Sequence, residues 1–85
     1  MRVKVRFFSE LARIIGKEHL IEIRENTSVK EALETILKEK KIKLKDIYND
    51  YFIIINGKVV KPDLILKEND EILIVPMIFG GLIFK

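Results

Sequence analysis

The chain has 85 residues, which predicts a single compact domain and excludes a multi-domain arrangement. Hydrophobic residues make up 48% of it, which argues against disorder, and the absence of cysteine excludes both a disulfide framework and a cysteine nucleophile. The net charge of +3 is small and interleaved with acidic residues, and no stretch is apolar enough to cross a bilayer, so we expect a cytoplasmic protein with no nucleic-acid or membrane partner.

The first half of the chain predicts two strands, a short helix between them and a longer helix. Apolar and charged residues alternate over residues 2–8 and again over 19–25, which is the two-residue period of half-buried strands. Residues 9–15 have helical spacing, with Gly16 as the stop signal. The longer helix starts at Ser28, which forms a capping-box pattern with Glu31. Its apolar stripe comprises Val29, Ala32, Leu33, Ile36 and Leu37.

The second half predicts three more strands. After an irregular stretch over residues 42–50, the β-branched run 51–55 and residues 58–60 flank Asn56-Gly57, a strong signal for a tight hairpin. Residues 71–75 form the last predicted strand, which Pro76 ends because proline cannot donate a ladder hydrogen bond. One amphipathic helix across one mixed sheet is a two-layer α+β arrangement.

Several motifs, in this order and spacing, resemble the sulfur-carrier family that includes the small subunit of molybdopterin synthase and the thiamine-pathway carrier. They are residues 3–8, 11–16, 27–33, 55–57, 69–72 and 76–81. The resemblance implies a β-grasp (ubiquitin-like) fold, with a mixed sheet of about five strands and one main helix packed across it. It also divides the chain into a β-grasp domain over 1–81, ending in Gly80-Gly81, and an apolar C-terminal extension over 82–85.

The resemblance further implies a carrier with no catalytic site of its own. In such families a partner enzyme adenylates the terminal glycine carboxylate, and a sulfur donor then converts it to a thiocarboxylate. Glycine suits this end because it lacks a Cβ and threads a narrow channel; residues 76–81 extend roughly 15 Å. The reacting residue implied here is Gly81, and the residues that enter the partner are Gly80, Phe79, Ile78, Met77 and Pro76.

The implied partners are an adenylating (E1-like) enzyme and the large subunit of molybdopterin synthase, with no bound cofactor or metal and a thiocarboxylate at Gly81. Carriers of this type end at the second glycine, whereas residues 82–85 follow Gly81 here, and Phe79 stands where the family has a small residue. A processing protease is therefore also implied. The alternatives are a ubiquitin-like interaction module that retains the extension and binds a partner through its sheet and C-terminal strand, or a ubiquitin-like protein modifier that works through the same glycine.

Two further expectations concern the surface. The apolar segment from Ile72 to Phe84 requires a cover, which is a partner subunit, a second copy of the chain or the extension folded back on the sheet. The only histidine, His19, is expected at a surface or sheet edge, with no catalytic or metal role.

Overall fold

The computed structural model describes residues 1–38 and 40–77. Within these ranges the chain forms eight helices and strands in the order β1 (Arg2–Phe7), α1 (Ser9–Ile15), β2 (Glu18–Glu22), α2 (Val29–Leu37), α3 (Leu44–Asp50), β3 (Tyr51–Ile55), β4 (Lys58–Val59) and β5 (Glu71–Pro76). The strands form one mixed sheet in the order β2-β1-β5-β3-β4. The two central strands, β1 and β5, are parallel, and the other neighbouring pairs are antiparallel. The predicted α+β architecture is confirmed.

The hydrophobic core lies between the inner face of the sheet and α2. Alternate residues of the central strands point inward and are almost fully buried, as are the helix residues that face them. The core members are Val3, Val5, Phe7, Ile53, Ile55, Ile72 and Ile74 from the sheet, Val29, Ala32, Leu33 and Leu37 from α2, Leu11 and Ile15 from α1, Ile47 from α3, and Leu66. The predicted apolar stripe of the helix is thus confirmed, although Ile36 is only partly buried.

The start of α2 and the β3–β4 turn also agree with the sequence. The Ser28 hydroxyl accepts a hydrogen bond from the Glu31 amide at 3.2 Å, and the Glu31 carboxylate accepts one from the Ser28 amide at 2.9 Å. Asn56 and Gly57 both have positive φ, at 54° and 78°. A two-residue turn with two positive φ angles has the type I′ form, whose twist matches the two strands that it joins.

One local prediction was wrong, and two local features were not predicted. The stretch 42–50, predicted to be irregular, contains α3, which buries Ile47 against the core. The start of α1 has no side-chain cap, because the capping position falls on Phe8, and Ser9 adopts a φ of 57°. His19 lies on the edge strand β2, as predicted, and makes two contacts that were not predicted: its ring stands edge-on to Phe7, with Nε2 2.9 Å from the Ile15 carbonyl oxygen at the end of α1.

Candidate functional site

The last residues of β5 are held between two other elements. Pro76 lies opposite Tyr51 in the antiparallel β3–β5 pair. One residue further on, the Met77 amide donates a 2.9 Å hydrogen bond to the carbonyl of Asp50, the last residue of α3. We call these four residues the tail root. Because β5 is also flanked by β1, Met77 follows the strand that lies in the middle of the sheet.

Of the predicted site residues, Pro76 and Met77 are at the tail root. Pro76 ends β5, as predicted, and Met77 follows with 38% of its surface exposed. Ile78, Phe79, Gly80 and Gly81 lie outside the described residues, as do the extension 82–85 and the boundary at residue 81. The roles assigned to those residues stay predictions.

The outer face of the sheet has an apolar half beside the tail root. In β5 and β3 the buried pairs Ile53–Ile74 and Ile55–Ile72 alternate with pairs that point to the opposite face. These outward pairs are Phe52–Val75 and Ile54–Leu73, and Ile54 also pairs with Val59 on β4. We call the five outward residues, Phe52, Ile54, Val59, Leu73 and Val75, the apolar sheet surface. The side chains of the β3–β5 pairs, Phe52–Val75 and Ile54–Leu73, are half-buried, and Val59 is 63% exposed.

The other half of the outer face is charged. Its residues form ion pairs between neighbouring strands, which are Arg2–Glu22 at 3.2 Å, Lys4–Glu18 at 3.1 Å and Arg6–Glu71 at 3.4 Å. All six side chains are substantially exposed, so these pairs add little to stability but make this half well solvated. The exception is Leu20, an exposed residue of β2 that lies opposite Lys4. One half of the outer face thus offers a partner apolar side chains, and the other half offers solvated ion pairs.

A shallow cleft of about 370 Å³ opens at the same end of the sheet as the tail root. Its lining includes Arg6, Phe8, Ser9 and Lys17, and the Arg6 guanidinium lies 5.5 Å from the centre of the Phe8 ring. Across this end, burial raises the pKa of Tyr51, and the nearby carboxylates of Glu10 and Asp50 raise it further. Tyr51 therefore keeps its hydroxyl proton at neutral pH.

Among the residues that the structure describes, no group of three His, Cys, Asp or Glu side chains could hold a metal ion. In the same part of the chain, no helix has the length and hydrophobicity that a membrane span needs. What the described residues do offer is a fixed position for Pro76 and Met77 and an apolar surface beside them.

Two parts of this site were missed from the sequence. The contact between Met77 and Asp50 depends on α3, which was not predicted. The β3 and β4 part of the apolar sheet surface was not predicted, because residues 51–55 are apolar throughout and do not reveal which side faces outward, whereas Leu73 and Val75 lie in the segment 72–84 that was expected to need a cover. A continuous apolar run in a sheet with helices on one face is the signal that could have found it, since one of its two faces must then meet solvent or a partner.

Comparison with known proteins places the chain in a family. Residues 5–81 match the profile of the ThiS family. No curated protein sequence matches the chain. Among solved structures, a Pyrococcus furiosus protein assigned as molybdopterin converting factor, subunit 1, is 31% identical, with a TM-score of 0.73 over 88% of this chain and 95% of that one.

Two other solved structures are similar in fold. The complex of subunits 1 and 2 of the molybdopterin-converting factor from Helicobacter pylori contains a chain that is 33% identical, with a TM-score of 0.64 over 95% of this chain and all of that one. Small archaeal modifier protein 1 of Haloferax volcanii is 18% identical, with a TM-score of 0.75 over 88% of this chain and 95% of that one. The latter likeness concerns the fold alone.

The fold and the site together define a ubiquitin-like β-grasp protein whose last described strand, β5, lies at the centre of the sheet. Within that class, the chain belongs to the ThiS family, since the match covers most of its length and ends at the second glycine. The resemblance to sulfur carriers seen in the sequence is confirmed.

Proposed function

We propose that this chain is a sulfur carrier that works through a thiocarboxylate on Gly81. The observation that carries the proposal is the extent of the family match, which reaches Gly81 and stops there. The tail root supports it, because a chain that leaves the sheet at Met77 places Gly81 four residues away, roughly 13 Å when extended. That reach suits delivery of an acyl group into another protein.

Three reactions convert the Gly81–Leu82 peptide bond into a thiocarboxylate on Gly81. Hydrolysis of the Gly81–Leu82 peptide bond by a protease consumes water and leaves a carboxylate on Gly81. An adenylating enzyme joins that carboxylate to the AMP portion of ATP and releases pyrophosphate. A sulfide equivalent supplied by a donor then displaces AMP and leaves the thiocarboxylate. The chain contributes the reacting group and its position, while both enzymes contribute the catalysis.

Partners dock, in this proposal, on the apolar sheet surface. It is the apolar part of the outer face, it lies next to the tail root, and Met77 continues its outward row from Leu73 and Val75 toward the C-terminal segment. A partner that covers this surface removes it from water and at the same time receives the segment. The charged half, with its paired ions, then forms a solvated border.

The cofactor pathway is proposed from the relatives. Two of the similar structures are described as subunits of a molybdopterin converting factor, and one of them is a complex with subunit 2. We therefore propose that the sulfur is delivered to molybdopterin, or to its tungsten-binding equivalent, in a complex with a large subunit of molybdopterin synthase. The choice of molybdopterin as the sulfur acceptor rests on the similarity to these two structures, whereas membership of the ThiS family alone does not specify an acceptor.

The test is thiocarboxylate formation in vitro. A chain ending at Gly81 is incubated with an adenylating enzyme of the same host, ATP and a sulfide source, and its intact mass is measured. The expected product has one oxygen replaced by sulfur. The full chain, which has no carboxylate on Gly81, is the matched control and should stay unchanged. An unmodified Gly81-ended chain, under conditions in which the enzyme modifies another carrier, would contradict the proposal.

A second function is favoured by the extension itself. Residues 82–85 block any chemistry on Gly81 for as long as they are attached. A chain that keeps them would act as a ubiquitin-like interaction module and would bind its partner through the apolar sheet surface alone. This alternative predicts the same docking surface but no processing and no sulfur transfer, so the mass of the native protein distinguishes the two.

A further inference from the structure

We propose that the cleft between α2 and α3 binds an acidic segment of a partner protein, with one apolar side chain of that segment in the cleft. The cleft has a volume of about 330 Å³. Its lining residues are Glu34, Leu37, Lys38, Ile42, Lys43 and Leu44. It belongs to the helices that cover the inner face of the sheet, so it lies on the opposite side from the apolar sheet surface. The inference goes beyond the proposed function and does not depend on sulfur transfer.

Positive charge is concentrated beside this cleft. Residues 38–45 contain five lysines and one glutamate, a net charge of +4, whereas the whole chain has a net charge of +3, so the other residues together are slightly negative. The five exposed lysines, which we call the lysine cluster, are Lys38, Lys40, Lys41, Lys43 and Lys45. None of them forms an ion pair with another residue that the structure describes, whereas the three cations of β1 all do.

The lysine cluster is not explained by the stability of the helices. Lysines in the last turn of a helix complement its dipole, but α2 has no basic residue in its last turn. Lys43 instead takes the capping position of α3, without a capping hydrogen bond, and Lys45 lies in the first turn, with only Asp46 to offset the two charges. Positive charge at a helix start opposes the dipole, and lysine is not a preferred cap. A local rule broken in this way indicates a functional demand.

The apolar residues of the cleft favour a protein segment over other acidic partners. Leu37 is buried, and Ile42 and Leu44 are half-buried against the core, so these side chains form the cleft and do not project from it. Insertion into a lipid surface requires projecting apolar side chains. None of the described residues that line the cleft is aromatic, so a nucleic-acid base has no ring on which to stack. A peptide fits both features, with an apolar side chain in the cleft and carboxylates beside the lysines.

Two further features restrict where the segment lies. Glu34 lines the α2 side of the cleft one turn before Lys38 and disfavours a carboxylate there, so the acidic side chains are directed toward the α3 side. Helix α3 relates the cleft to the tail root, because it begins at Leu44 and ends at Asp50, about 9 Å further along the helix axis. A partner held in the cleft therefore stays close to the end of β5 and leaves the apolar sheet surface open to a second protein.

The test measures binding of a short synthetic peptide to the full chain. The fluorescein-labelled peptide has one leucine between aspartates and glutamates, and its affinity is measured by fluorescence anisotropy at physiological ionic strength. We expect the peptide to move the amide NMR signals of Ile42 and Leu44. An exposed ion pair is worth roughly 1.5–5-fold in affinity. The triple variant Lys40→Glu, Lys41→Glu and Lys43→Glu should therefore bind about tenfold more weakly or worse.

The matched control reverses three exposed lysines elsewhere, namely Lys58→Glu, Lys61→Glu and Lys67→Glu, and so has the same net charge. Distant charges are largely screened at this ionic strength, so the control should stay within about twofold of the parent. An equal loss in both triple variants would overturn the inference. A peptide with serine in place of leucine should bind at least about fivefold more weakly. Equal affinity of the two peptides would also overturn it, because no apolar side chain would then occupy the cleft.

The variant Lys43→Asp separates binding from stability. Aspartate supplies the missing cap of α3, so urea unfolding should show at least the stability of the parent, while the affinity for the peptide falls roughly 2–5-fold. Unchanged affinity, or no peptide binding by the parent, would contradict the inference. Tighter binding of single-stranded RNA or of phosphatidylserine vesicles than of the peptide would assign the lysine cluster to another class of partner and overturn it. Because no measurement involves sulfur, this inference and the proposed function can fail independently.

Discussion

The docking surface can be tested with one exposed residue. Val59 lies on the edge strand β4, opposite Ile54 in the apolar sheet surface, with 63% of its surface exposed. Burying a whole side chain of this class is worth about 1.5–3 kcal/mol. Covering the exposed two-thirds of Val59 is therefore worth about 1–2 kcal/mol, or roughly 5–30-fold in affinity. We expect Val59→Asp to weaken partner binding by at least this factor, since a carboxylate at the interface must also lose water.

The matched control is Leu20→Asp. Leu20 is 62% exposed on the same outer face but lies in the charged half, opposite Lys4. Each substitution is on an edge strand and should change the free energy of unfolding by no more than about 1 kcal/mol. Binding of both variants to the large subunit or the adenylating enzyme would be measured by titration calorimetry, after urea unfolding has verified the fold. Loss of binding by Leu20→Asp, with Val59→Asp unaffected, would refute the assigned surface.

Three further predictions concern stability. Ile74 is fully buried in β5, so Ile74→Ala should cost about 2–5 kcal/mol in urea unfolding, and a loss below 1 kcal/mol would mean that β5 is not part of the core. Ser28→Ala removes one side of the capping box and should cost about 1 kcal/mol, with Ser28→Asn as a conservative control that retains most of it. The buried Tyr48 hydroxyl has no hydrogen-bond partner among the described residues, and burial, with a smaller contribution from Glu34, raises its pKa. Below pH about 10 the Tyr48 hydroxyl is protonated in both the folded and the unfolded chain, so the free energy of unfolding does not depend on its ionisation. As the pH rises from there through the folded pKa, the unfolded chain loses the proton first and the free energy of unfolding falls. Tyr48→Phe should be as stable as the parent at neutral pH and lose less of its melting temperature at alkaline pH; an equal loss would contradict this account.

Sequence patterns were reliable where one local rule decided the structure. The capping box at Ser28, the two positive φ angles at Asn56 and Gly57, and the end of β5 at Pro76 each follow from the chemistry of those residues. The alternation in β1 likewise determined its buried face, because charged residues separate the apolar ones. In these segments the tertiary structure and the local preference agree.

The errors arose where tertiary packing decided. Helix α3 has only seven residues and no side-chain cap, and lysines surround its start, so its local signal is weak. What stabilises it is the burial of Ile47, at a spacing shared with Leu44 and Tyr48 that in retrospect is helical. The edge position of His19 was predicted, but its contacts with Phe7 and with the end of α1 were not, because they are made only after β1 and β2 pair.

The site residues themselves stay predictions. The end of β5 at Pro76 agrees with the structure, whereas the binding roles of Pro76 and Met77 are untested and Ile78 to Gly81 lie outside the described residues. The apolar sheet surface could not be read from residues 51–55, since both faces of that strand are apolar and only the neighbouring strands and α2 determine which face is covered.

The most direct test of the carrier account is the intact mass of the protein purified from its own host. The account predicts a population that ends at Gly81, part of it heavier by the difference between sulfur and oxygen. A protein that always retains residues 82–85 would contradict it and favour the interaction module. A Gly81 end joined to a lysine of another protein would instead identify a modifier.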